Sequence, residues 1–254
     1  MPQEDAAGSR TSTKSAVALL LTFAAGYVDV VGYLALYQVF TANMTGNTVH
    51  FAINLLHSRW QDAMLAGSMI LIFVAGSIIG RAIIEVGARN RIRRIASLTL
   101  AIEALLIGFA SLAPPHTTVP DVEIGSLAAL AFAMGIQTAA LTRIGPLTIH
   151  TTFVTGMLNK LAQLISHSMF LAYDRLRGER RVPNAEKKVR RQAFFIFSIW
   201  LAYFVGAIVG TKTEGLFGLR ALLIPIVLLA VAILADQVNP LSIREEQEQI
   251  ESGT

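Results

Sequence analysis

Polar and charged residues gather in a few short stretches of this chain, and between them apolar runs near twenty residues recur. They are Ala16–Tyr37, Ala63–Val86, Ile95–Leu112, Ile124–Leu141, Phe194–Gly210 and Leu219–Ala235. About twenty apolar residues in a helix cross the ~30 Å hydrocarbon core of a bilayer. A chain in lipid must satisfy its backbone within the segment, which selects helices. The pattern therefore predicts an all-α integral membrane protein with six transmembrane helices.

Two more polar passages stand apart from these runs and resemble each other. Thr41–Ser58 and Thr151–Ser168 align without gaps and share Thr41/Thr151, Thr45/Thr155, Gly46/Gly156, Ala52/Ala162, His57/His167 and Ser58/Ser168. A repeat this far apart signals a duplicated unit. Gly76/Gly80 recurs as Gly206/Gly210, and Phe23-Ala-Ala-Gly26 as Phe132-Ala-Met-Gly135. The paired Gly-x-x-x-Gly motifs let helix backbones approach closely and leave a homodimer open.

Charge gives the orientation. Arg89, Arg91, Arg93 and Arg94 form one basic cluster, and Arg175, Arg177, Arg180, Arg181, Lys187, Lys188, Arg190 and Arg191 form a second. Basic loops stay in the cytoplasm. With both clusters inside, Ile144–Tyr173 crosses an even number of times or not at all, which makes each TG passage re-entrant or broken. Each half then has three spans, an odd number, so the halves are inverted. The expected organisation is a flexible, polar cytoplasmic N-terminus over 1–14, half one over 15–114, half two over 123–236 and a cytoplasmic acidic tail over 237–254. No signal peptide is expected ahead of the first run.

Composition narrows the chemistry. Hydrophobic residues make up 54% of the 254, the formal net charge is +4 and cysteine is absent, so disulfides and thiolate sites are excluded. No metal-ligand spacing, cofactor motif or hydrolase motif is present, and the expectation is a non-enzyme with no cofactor and no metal. The partners expected are the lipid bilayer and a small-molecule or ion substrate, with no nucleic acid.

The run AGYVDVVGYLALYQVFTANMTGNTV, followed by MGIQTAALTRIGPLTIHTTFVTG, resembles the YoaK-like family of bacterial inner-membrane proteins of unknown function. Gly26-x-x-Asp29, Met44-Thr-Gly-Asn47 and Thr151-Thr-x-x-Thr155-Gly156 carry the resemblance, which spans roughly Ala16 to Ala235. It implies a bacterial inner-membrane location and a membrane fold. In that family Asn commonly follows the Gln of the second half, where this chain has Thr138.

The polar residues of the spans point to solute transport. A carboxylate at mid-bilayer faces a cavity or a partner. Asp29 is therefore an expected ion-coupling group, as is Glu103, for which Arg143 is a possible partner. Glycine permits a tight turn into each TG segment, and free N–H groups at the following helix start suit an anion or a carbonyl. Thr45, Gly46 and Asn47 are expected as one wall of a midplane site, and Thr152, Thr155 and Gly156 as the other. Gln137 and Thr138 are added contacts, and Asn43, His50, Asn159 and Lys160 further polar lining. The leading expectation is a small secondary transporter for an anionic or polar solute, coupled to protons or sodium. A passive channel, or a non-transporting scaffold or sensor, is the alternative.

Overall fold

The structure, a computed structural model, describes residues 2–92, 94–113, 120–140, 143–144, 147–148, 151–177 and 185–238. Its helices are α1 (Pro2–Ala35), α2 (Met44–Leu56), α3 (Trp60–Arg89), α4 (Ile95–Ser111), α5 (Pro120–Ala140), α6 (Val154–Leu176), α7 (Ala185–Phe217) and α8 (Leu223–Val238). The polar opening stretch continues α1 as helix from Pro2, where the sequence suggested a separate flexible tail. Two-residue strands β1 (Arg143–Ile144) and β2 (Leu147–Thr148) form an antiparallel ladder before α6. The C-terminal tail lies outside the described residues.

Four described stretches are long and apolar enough to cross a membrane: Ser12–Ala35, Trp60–Arg89, Asp121–Ala139 and Glu186–Val238. The last contains α7, a 3-10 turn over Gly218–Leu222 and α8. Gly218, at φ +56°, turns the chain between them in a left-handed conformation that suits glycine. Helix α4 is apolar but shorter. Helix α2 has 13 residues, about 20 Å of helix, too short to span. Helix α6 has the length of a span at 23 residues, but not the hydropathy.

Many large side chains face outward, and alanines are frequent among the buried residues. Leu71 and Ile78 on α3, Leu105 and Phe109 on α4, and Phe194 and Phe204 on α7 are exposed, whereas Ala18, Ala24, Ala25, Ala131 and Ala133 are buried. Lipid offers apolar side chains a solvent equal to the core, so helices associate through small residues that pack closely.

The packing is symmetric on exchanging α1–α4 for α5–α8. Helix α1 lies along α7 and α3 along α5; α2 meets α3 as α6 meets α7; α1 touches α8 as α5 touches α4. The glycine motifs are each other's partners across the halves. A Cβ on Gly206 would strike the Phe23 carbonyl, and one on Gly76 the Phe132 carbonyl. A turn later, Gly210 lies against Tyr27 and Gly80 against Ile136. Both contacts advance in step, so α1 runs alongside α7 in the same direction, and α3 alongside α5. Helices α4 and α8 run oppositely: Gly108 neighbours Ile226, while Ser97 meets Asp236. The four glycines of the paired motifs are thus buried within one protomer and supply no free face for a dimer.

Asp236 also closes a helix end. Its Oδ2 accepts the Ser97 N–H at 3.1 Å and the Ser97 hydroxyl, on the first turn of α4 where amides lack intrahelical partners.

Candidate functional site

In the first TG segment, α1 ends at Ala35 and the chain turns back through Tyr37 and Gln38, both at φ 54°. Residues 39–43 then lead into α2. Asp29, 3% exposed, holds this return: its Oδ1 accepts N–H bonds from Thr41 at 2.8 Å and Ala42 at 2.7 Å. The Thr41 hydroxyl adds a bond at 3.3 Å, and the Tyr203 hydroxyl of α7 donates to Oδ2 at 2.6 Å. Four donors satisfy one buried carboxyl group, as a polar atom in a low-dielectric interior requires. Asn43 caps α2, its Oδ1 accepting the Gly46 N–H at 3.1 Å.

The second TG segment has the matching bend at Thr151–Thr152, reached from the strand β2 rather than through a left-handed turn among the described residues, and with different chemistry around it. Thr138 occupies the place of Asp29; its hydroxyl bonds the Met134 carbonyl at 2.8 Å and meets the Thr152 hydroxyl at 2.7 Å. Phe73 stands where the other half has Tyr203. Helix α6 starts after Phe153, with no side-chain cap. The Thr151 hydroxyl oxygen is buried without a hydrogen-bond partner.

Between the two segments lies a cavity of about 490 Å³. Asn43, Thr45, Thr138, Thr152, Thr155 and Tyr203 supply its polar lining, while Ala42, Met44, Phe73, Phe153 and Val154 supply apolar walls. The N-terminal turns of α2 and α6 therefore share one chamber, and among the described residues no charged side chain lines it.

Several expected site residues lie elsewhere. Asn47 is fully buried as a clip, its amide donating to the Phe40 carbonyl at 2.7 Å and its Oδ1 accepting the Phe40 N–H at 2.9 Å. Gln137 reaches from α5 to the Leu21 carbonyl of α1 at 3.1 Å, and its own oxygen is buried and unpartnered. Gly46 and Gly156 are in the first helical turns without positive φ, so they do not relax a strained turn. They make room for aromatic rings, Phe40 over Gly46 and Phe153 over Gly156, which a Cβ would strike.

His50 packs edge-on against Tyr33 and Phe40 and lines a second cavity of about 290 Å³ with Tyr37, Asn54, Arg59 and Asp62. Asn159 and Lys160 lie further along α6, outside the central chamber. Glu103 is fully buried in α4, and neither of its oxygens has a hydrogen-bond partner. The side chain of Arg143, its expected partner, lies outside the described residues.

Tyr203 is the polar chamber-lining residue that sequence reasoning missed. The available signal was positional: Tyr203 precedes Gly206 by three residues, as Phe73 precedes Gly76. That marks the pair as repeat-equivalent and unequal in chemistry.

Residues 17–235 match a family described as protein of unknown function (DUF1275). The chain is 32% identical to the UPF0700 transmembrane protein YoaK of Bacillus subtilis (strain 168) over 211 residues, 83% of this chain and 88% of that protein. No solved structure matches. The apolar helices and outward-facing large side chains agree with that relative's description, and the chain is a helical membrane protein of the DUF1275 family, YoaK-like and of unknown function.

Proposed function

We propose that this protein is a small secondary transporter of the bacterial inner membrane, binding an anionic or polar solute between its two TG segments. The observation that carries this reading is the chamber of about 490 Å³, walled by the first turns of α2 and α6, one from each half. Half-helix N-termini converging on a central site, with two repeats rocking about it, is a recurrent transporter arrangement. The six-span, 3+3 inverted arrangement is supported by the exchange-symmetric packing and by the parallel runs of α1 with α7 and α3 with α5. Both basic clusters then face the cytoplasm, as do both termini.

Asp29, held by four donors, is the anchor of the first TG segment. Glu103 has no such donors, and the coupling role for a proton or sodium ion falls to it. The test is solute flux into proteoliposomes with and without an imposed pH or sodium gradient. Uptake above equilibrium that collapses with the gradient supports the transporter. Flux indifferent to the gradient makes the same architecture a channel. No flux across a broad panel of anions and polar metabolites leaves a scaffold or sensor.

A further inference from the structure

Between the TG passages and the glycine pairs, the two halves differ in length. The passages stand 110 residues apart, Thr41 to Thr151, and the pairs 130 apart, Gly76 to Gly206, so half two carries twenty residues more in between. The excess lies in the α6–α7 hairpin. Helix α6 has 23 residues where α2 has 13, and α7 begins 21 residues before Gly206 where α3 begins 16 before Gly76. Residues 169–191, which hold this extension, contain eight Lys or Arg against three Asp or Glu.

We propose that this hairpin is a docking surface for the anionic phospholipid headgroups of the leaflet beside it. Lys187, Lys188, Arg190 and Arg191 are exposed on α7, and among the described residues none of these four side chains is held in an ion pair or hydrogen bond. At 1.5 Å per residue, Arg190 and Arg191 stand about 5 Å, and Lys187 and Lys188 about 10 Å, before Phe194, where the apolar run of α7 begins. The headgroup layer on each side of a bilayer is roughly 5–8 Å deep, so the four charges sit at the depth of the lipid phosphates and just beyond it. The neighbouring cations are engaged within the hairpin: Arg175 ties α6 to Glu186 of α7 at 3.4 Å, and Arg177 covers the Tyr173 ring at 4.7 Å. Met169, Phe170 and Tyr173 are exposed on α6, and apolar surface beside Lys and Arg suits a lipid interface. Phosphate oxygens accept charge-assisted hydrogen bonds from both residue types. In the basic cluster of half one, by contrast, Arg89 is paired with Glu85.

This inference rests on the hairpin standing at a membrane face and not on transport. The full chain carrying Trp60→Phe keeps Trp200 as its single tryptophan, six residues into the apolar run from Phe194. It is reconstituted in phosphatidylcholine vesicles in which either added phosphatidylglycerol or an equal fraction of the phosphatidylcholine has brominated acyl chains. Quenching of Trp200 then gives the relative binding constant of the two lipids. Phosphatidylglycerol is expected to be favoured at least ~5-fold, about what one juxtamembrane Lys or Arg contributes. The combined change Lys187→Gln, Lys188→Gln, Arg190→Gln and Arg191→Gln is expected to abolish the preference. Arg190→Lys with Arg191→Lys keeps the charge and should retain it, as should Arg89→Gln with Arg91→Gln at the other basic cluster.

Equal quenching by the two lipids overturns the proposal and leaves the hairpin to a soluble acidic partner. A preference that survives the fourfold change, or falls as far in the Arg89→Gln, Arg91→Gln protein, overturns it as well, because other charges would then hold the lipid. Inorganic phosphate that erases the preference at constant ionic strength makes this a free-phosphate site and has the same consequence. A protein that prefers phosphatidylglycerol but moves no solute defeats transport and leaves this surface standing. Gradient-driven flux in a protein with no lipid preference does the reverse.

Discussion

Replacing Asp29 by Ala should destabilise the fold severely, and the structure gives the size. The substitution strips the acceptor from the Thr41 and Ala42 N–H groups and from the Tyr203 hydroxyl, while the Thr41 hydroxyl, the fourth donor at 3.3 Å, can turn to another acceptor. A buried donor left unsatisfied costs about 1–3 kcal/mol. Three orphans, partly relieved by relaxation of the turn, give about 3–6 kcal/mol. Tyr203→Phe removes a single donor and leaves Oδ2 short of one bond, for about 1–2 kcal/mol. The two positions share one hydrogen bond, so their effects should not add.

The assay is reversible denaturation in mixed micelles, followed by tryptophan fluorescence, on wild type, Asp29→Asn, Tyr203→Phe and the double variant, with Asp29→Ala as the extreme. Coupling of about 1 kcal/mol or more in the cycle is expected. Strict additivity, or an Asp29→Ala protein as stable as wild type, would refute Asp29 as the anchor of the first TG segment.

The exchange symmetry predicts matched damage from Gly76→Ala and Gly206→Ala, since each new Cβ meets a backbone carbonyl that cannot move alone. Gly215→Ala, with nothing within 4 Å, should be neutral or stabilise by up to about 1 kcal/mol in the same denaturation assay. Because the native chain has no cysteine, Ser58→Cys and Ser168→Cys can be labelled singly with an impermeant thiol reagent in intact cells; labelling of only position 58 is expected, and labelling of both or neither refutes inverted halves. Glu103→Gln should abolish gradient-driven accumulation in proteoliposomes while leaving exchange of solute down its own gradient, and accumulation at the wild-type level would remove Glu103 from coupling.

Much of the fold was legible before any coordinates. The apolar runs from Ala63 and Ile95 match α3 and α4 to within a few residues, because the hydropathy of a span is a sum over its own residues. The repeated TG passages and the glycine pairs were legible for the same reason, being local patterns. Less of the site was. Thr45, Thr138, Thr152 and Thr155 do line one chamber, but Asn47 and Gln137, chosen on the same polarity argument, clip backbone elsewhere. Polarity within an apolar chain says that a side chain needs a partner, and does not say whether that partner is solute or protein.

What the sequence determined by itself, then, was the membrane class, the recurring TG passages and the small-residue faces, all properties of a segment considered alone. The tertiary structure alone decided that Gly206 lies against Phe23 and Gly76 against Phe132, that Tyr203 reaches Asp29 from 174 residues away, and that Thr151 keeps an unpartnered hydroxyl. These depend on how each helix is rotated about its axis and which neighbour it meets. In lipid that choice is made by close packing and hydrogen bonding between helices, which no single segment encodes.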